Sequence, residues 1–211
     1  MSAVSRAYLD DAIRQKIEAA ARAVENSSAA ELVVAIRPWS GSYLHADLAA
    51  ALAAGAAVLA FVVFSPWPFH DWMLFVYPVV GAALAALTTS RTPTLRRWLS
   101  PRRLREAQVR TAAHALFQAR EVGLTRRRTG VLVYASRLEG LVIVLADRAA
   151  QDALGVEAWR ERTLELQAAL AHGRSAAPFA LALARLTEPL ARALPRQADD
   201  QNELPDAIDV V

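Results

Sequence analysis

There is no cysteine in this chain, which excludes disulfides, thiolate zinc sites and thiol catalysis. Lysine is almost absent as well: of the 24 basic residues only Lys16 is lysine and the rest are arginine. That bias reads first as an alanine- and arginine-rich composition, and second as a demand for bidentate phosphate or carboxylate contacts. Charge is missing from two long stretches, Leu48 to Phe69 and Trp72 to Ser90. The sequence carries no G-x-S-x-G, Walker loop, G-x-G-x-x-G or D-x-D-x-T-like phosphatase signature. His45, His70, His114 and His172 are scattered with no H-x-x-x-H pair, so a histidine metal centre is not expected. His114, close to Phe117 on a helical pattern, is expected to be a partly buried core residue. The opening "MSAVSRAYLDDAIRQKIEAA" lacks the apolar stretch of a signal peptide, so the N-terminus is expected to stay in the cytoplasm.

What is present is apolar residue in excess, 55% against about 45–50% for soluble domains. Each uncharged run approaches the ~20 residues that an α-helix needs to cross ~30 Å of hydrocarbon. Between them lies "SPWPFHD", where Pro66 and Pro68 break helical hydrogen bonding and Trp67, Phe69 and Trp72 suit the headgroup level. The pattern predicts a two-helix transmembrane hairpin, with a buried hairpin in a soluble protein as the alternative. Ala50, Ala54, Gly55 and Ala57 would let the two helices pack closely. The turn has no Arg or Lys, whereas Arg91, Arg96, Arg97, Arg102, Arg103, Arg105 and Arg110 follow the second run with only Glu106 against them. The positive-inside rule therefore puts both chain ends in the cytoplasm, and makes the first six of these arginines lipid-headgroup candidates. The lipid bilayer is the expected contact of this stretch, and nucleic acid is not.

On either side the pattern is that of a small α/β domain. Leu9, Ile13, Ile17, Ala20 and Val24 repeat at helical spacing up to "NSS", and "ELVVAIR" is a short, mostly buried strand. After the hairpin, Val109, Ala112, Ala113, Leu116 and Phe117 mark a second helix with Gly123 as its expected C-cap. "TGVLVYAS" and "GLVIVLA" follow as strands joined by a hairpin loop at "RLE". Two helices come next, about 156–171 with Trp159, Leu166 and Leu170 inward, and about 175–194 with Phe179, Leu183, Leu186 and Leu190 inward, Pro189 kinking or ending the last. The strand–helix–strand link predicts a parallel pair and the tight loop an antiparallel one, giving a small mixed sheet of three to four strands packed by helices. The domain plan is 1–44, the transmembrane hairpin 45–90, a basic juxtamembrane segment 91–108, the second half of the split domain 109–195, and an acidic tail 196–211.

The stretch "LTRRRTGVLVYASRLEGLVIVLADRAAQDALGVEAW" resembles the core of the TPM-domain family, a family of unknown function, with a Thr and an Arg before a Gly-Val-Leu strand and a second strand ending in Asp. "SGSY" after the first strand, "AAHALFQAREVGL" and the tail "ADDQNELPD" resemble its bacterial membrane-embedded branch. The resemblance implies an α/β/α domain tethered at the bacterial inner membrane, with phosphatase activity and metal binding associated with different relatives. Relatives often carry Gly after the Asp, where backbone can cradle a ligand; here the loop reads "DRAA", 147–150.

Candidate chemistry centres on Asp147, at a strand end, where α/β folds often place ligand-binding groups. Its structural alternative is an N-cap for "RAAQDALG". Arg126, Arg127 and Arg128 can clamp an anion or serve as a solvated turn. Asp199, Asp200, Glu203 and Asp206 form an acidic cluster without the Gly turn of an EF-hand, hence a weak metal candidate or a docking tail. Three readings follow: a cytosol-facing, non-catalytic accessory module acting on membrane proteins or on itself; a metal-assisted phosphatase using Asp147 with Arg126–Arg128; and an anionic-lipid or nucleic-acid binder working through Arg91–Arg110.

Overall fold

The computed structural model describes residues 10–172, 175–196 and 209–210. The chain forms two compact units, one from residues up to Ser40 together with those from Glu106 onward, the other Gly41–Arg105.

The first unit opens with helix α1 (Asp11–Ser27), whose N-cap Asp10 accepts a hydrogen bond from the Ile13 amide at 2.7 Å. Ile13, Ile17, Ala20 and Val24 are buried along one face, as their spacing predicts. Leu9 lies outside the described residues. Strand β1 (Glu31–Arg37) runs parallel to β2 (Gly130–Ser136), and β2 runs antiparallel to β3 (Leu141–Ala146). A two-residue strand, β4 (Asp209–Val210), joins the other edge parallel to β1, giving the order β3-β2-β1-β4. The result is a mixed sheet, with residues 209–210 at its far edge.

Two cores explain why β1 and β2 are continuous apolar runs rather than alternating ones. Leu32, Val34, Ile36, Val131, Val133 and Ala135 point to one face, where α1, α7 (Val156–His172), α8 (Ala177–Ala184) and α9 (Thr187–Ala193) cover them. Val33, Ala35, Leu132 and Tyr134 point to the other, against Val109 and Ala113 of α5 (Arg102–Ala119). Trp159 donates from Nε1 to the Ala150 carbonyl at 3.0 Å, anchoring α7 to the short α6 (Arg148–Leu154). Arg196 donates to the Glu25 and Asn26 carbonyls at the end of α1, the charge a helix C-terminus favours.

Three local expectations are corrected. Helix α5 does not end on Gly123; Glu121 takes the left-handed position, with φ 54°, and Gly123 sits in the 3-10 turn Val122–Leu124. Gly123 instead lies close under a side chain: a Cβ there would stand 2.9 Å from the Phe117 ring, which would have to shift. The last helix is two, α8 and α9, because Pro189 has no N–H for the Arg185 carbonyl and its ring would clash with it. The break falls before the proline, which sits in the first turn of α9. His114 is exposed, since the core face of α5 is set by Val109 and Ala113.

The second unit contains α2 (Leu44–Phe64), α3 (Met73–Arg91) and α4 (Pro93–Leu99). Both α2 and α3 are long and apolar enough to cross a membrane, and only 6% of the apolar stretch of each is buried. They approach through small residues: a Cβ on Gly81 would stand 2.8 Å from Val58 Cγ2, and one on Gly55 3.3 Å from Ala82 Cβ. Pro78 lies inside α3, where it removes one backbone hydrogen bond. At the turn, Phe61 meets Trp67 and Phe69, and Tyr77 meets Phe69 and Trp72, all edge to face at centroid separations of 6.1–6.5 Å.

Candidate functional site

The α/β unit carries polar clusters at opposite ends of its sheet. At the N-terminal end of β2, Asp147 follows β3 and caps α6, its Oδ1 accepting from the Arg148 amide at 2.7 Å. Oδ2 is buried and has no hydrogen-bond partner among the described residues; Arg128 Nη1 stands 3.9 Å from it. Arg128 is turned toward this position by a left-handed backbone, φ 57°, in a turn closed by its own amide on the Thr125 carbonyl at 3.1 Å. Arg126 is exposed and Arg127 half-buried, and each is engaged in interactions of its own. So of the four ligand-binding candidates, Asp147 and Arg128 come together directly. Asp199, Asp200, Glu203 and Asp206, the acidic cluster read as a weak metal candidate, lie outside the described residues. Among the described residues no three His, Asp or Glu side chains are grouped as metal ligands would be.

The second cluster, at the C-terminal ends of β1 and β2, was not legible in the sequence. Glu139, in the loop joining β2 to β3, is only 2% exposed. Its Oε1 accepts from the Ser40 amide at 3.0 Å and its Oε2 from the Ser136 hydroxyl. Ser40 donates to Ser136 Oγ at 2.7 Å and lies 2.9 Å from the Tyr134 hydroxyl, so the hydroxyls line up toward one buried carboxylate. The geometry follows from the ladder: Arg137 and Leu138 continue it past β1 by donating to the Arg37 and Pro38 carbonyls at 3.0 Å each. The cluster fixes Ser40, the last residue before the second unit. A buried carboxylate with several donors cannot be deleted without orphaning them. Glu139→Ala is therefore expected to cost about 3–5 kcal/mol of stability, and Glu139→Gln about 1–3 kcal/mol, because the amide's NH2 must face donors. Thermal unfolding of the purified protein by circular dichroism checks both; equal, negligible losses would mean the cluster is solvated. The spacing Ser136-x-x-Glu139, the same S-x-x-E pattern that closes helix caps, was the available signal.

In the second unit the basic stretch is helical rather than open. Arg96 forms a bidentate pair with Asp47 in the first turn of α2, Nε to Oδ1 at 3.1 Å and Nη2 to Oδ2 at 2.6 Å. His45 Nε2 meets Ser100 Oγ at 3.0 Å. Arg96 thus holds α4 to α2 and is committed within the protein; Arg91, Arg97 and Arg103 are exposed, Arg102 is exposed but engaged in an interaction of its own, and Arg105 is half-buried.

No protein-family model matches this chain, and no curated protein does either. Among solved structures, the fold is similar to the NMR structure of BA42 protein from the psychrophilic bacterium Bizionia argentinensis, with a TM-score of 0.57 at 14% identity over 97% of this chain and 96% of that one. Likeness at that identity speaks for the mixed α/β fold alone.

Proposed function

We propose that this chain is a TPM-like α/β domain anchored in the bacterial inner membrane by the α2–α3 hairpin, facing the cytoplasm and serving as a non-catalytic accessory or interaction module for membrane proteins or for copies of itself. The observation that carries the anchor is exposure: Leu52, Phe64, Phe75 and Val79 are 67–84% exposed on helices of membrane-spanning length. A hairpin from a soluble core would bury such residues, because apolar patches of this size on monomers mark membranes or partners. The orientation rests on the arginines after α3 and their absence from the turn. The non-catalytic part is supported by the engagement of Asp147 in a cap and of Ser40 in a satisfied network.

Two measurements test it. The native protein is expected to resist carbonate extraction from membranes. Affinity capture from detergent extracts is expected to return the same membrane protein, or a second differently tagged copy, in repeated trials; consistent recovery of neither removes the interaction role.

One observation favours a second reading. Asp147 Oδ2 is buried without a hydrogen-bond donor and has Arg128 beside it, an arrangement that a divalent ion and a phosphate would complete. On that reading the purified protein hydrolyses a generic phosphomonoester only with a divalent cation, and Asp147→Ala lowers turnover at least about 100-fold. Unchanged turnover in the variant eliminates it.

A further inference from the structure

We propose that α4 and the arginines flanking it form a binding surface for anionic phospholipid headgroups, lying along the cytoplasmic edge of the bilayer. This rests on the membrane-anchor reading and deepens it. A seven-residue helix is too short to persist alone in water, so something must hold α4. Arg96 and Asp47, only 26% and 13% exposed, and the contact of His45 with the buried Ser100 do so, fixing α4 against the start of α2.

With Arg96 used for this clamp, three cations on and beside α4 are left facing outward. Arg91, Arg97 and Arg103 are exposed, and none has an acidic partner among the described residues. Alongside them Leu95 and Trp98, three apart and so on one side of the helix, are 36% and 83% exposed. Trp with an exposed aliphatic neighbour and unpaired guanidinium groups matches the headgroup layer, which offers an apolar floor and phosphate oxygens at one depth. The position agrees, since α4 starts two residues after the last residue of α3. A nucleic acid offers phosphate without the apolar floor, and an acidic protein surface does not account for α4 abutting the end of a span.

The test uses the full chain purified in mild detergent and offered phosphatidylglycerol and phosphatidylcholine in equal amounts, with retained lipid read by native mass spectrometry. Phosphatidylglycerol is expected to be preferred, and the preference to weaken as sodium chloride rises from about 50 to about 500 mM. At about fivefold per arginine, the triple variant Arg91→Gln, Arg97→Gln, Arg103→Gln should bind it about 100-fold more weakly. The corresponding Arg→Lys triple variant should keep most of the binding, and an Arg148→Gln, Arg160→Gln, Arg185→Gln control should keep all of it. Equal retention of the two lipids by the wild type, or a Gln triple variant with undiminished preference, overturns the proposal while leaving the anchor standing. Displacement of phosphatidylglycerol by an oligonucleotide also overturns it. Release of the wild-type protein by carbonate removes the anchor reading and this one together. Should the Gln variant fail to fold, the wild-type salt titration and the Lys variant still decide the matter.

Discussion

Gly130→Ala is expected to abolish the folded α/β unit, at a cost above about 4 kcal/mol. The added Cβ would stand 1.9 Å from the Val122 carbonyl oxygen and 2.9 Å from its carbonyl carbon, distances that no side-chain rotation relieves because both atoms are backbone. Nor can the Val122 turn retreat. Its side chain is fully buried, and the turn is closed by the Leu124 amide on the Glu121 carbonyl at 2.8 Å. Moving Gly130 instead would break the first rung of the β1–β2 ladder and the bond from the Asp147 amide to the Gly130 carbonyl at 2.8 Å. Gly155 is the internal comparison: it has open space around it but a backbone at φ 81°, ψ 158° that only glycine readily adopts. Gly155→Ala should therefore cost about 1–3 kcal/mol and leave a folded protein. Thermal unfolding and limited proteolysis of both variants separate the two mechanisms; a Gly130→Ala protein with near-wild-type stability would show that the turn yields.

Alkaline phosphatase inserted beside Pro68 is expected to be active in cells, and the same reporter fused after Val211 silent, with a green fluorescent reporter showing the opposite pattern. The expected contrast is tenfold or more. The physical basis is that the turn between α2 and α3 carries no Arg or Lys, whereas there are seven arginines from Arg91 to Arg110. Moving even one arginine to the centre of a bilayer costs about 2.5–3.5 kcal/mol on insertion scales, so carrying that segment across is opposed many times over. Activity at the C-terminal fusion would overturn the proposed orientation, and with it the cytoplasmic placement proposed for Asp147 and α4.

What the sequence made legible tracks how local the governing physics is. The β2–β3 pair could be read because "VLVY" and "LVIVL" are β-branched runs joined by a loop too short for anything but an antiparallel turn. The parallel partnership of β1 with β2 followed from the connection between them. Glu139 escaped because "RLE" has the polar composition of an exposed turn; its burial depends on Ser40, at a sequence separation of 99. β4 escaped because two residues carry no periodicity. Pro189 marked a kink or end of the last helix, and the break between α8 and α9 falls just before it because the ring's clash acts on the carbonyl four residues earlier. Arg96 looked like its neighbours until Asp47 was placed beside it, a pairing that needs the hairpin to bring the two ends together.

The parallel register of β1 and β2, Glu31 with Gly130 through Arg37 with Ser136, also sets an order of events during synthesis. β1 leaves the ribosome first, apolar on both faces, and its central partner is not made until the whole hairpin has followed. At about 5–20 residues per second, β1 waits about 5–20 s as an unpaired strand. Unpaired apolar strands are the segments that aggregate or recruit chaperones. With the proposed membrane anchor, the nascent chain's best protection over that interval is uptake of its next segment by the insertion machinery, which would hold it at the membrane until β2 arrives. On that proposal a delay in insertion should appear first as loss of the α/β unit, through degradation of a half-made sheet, before any change in α2 and α3 themselves.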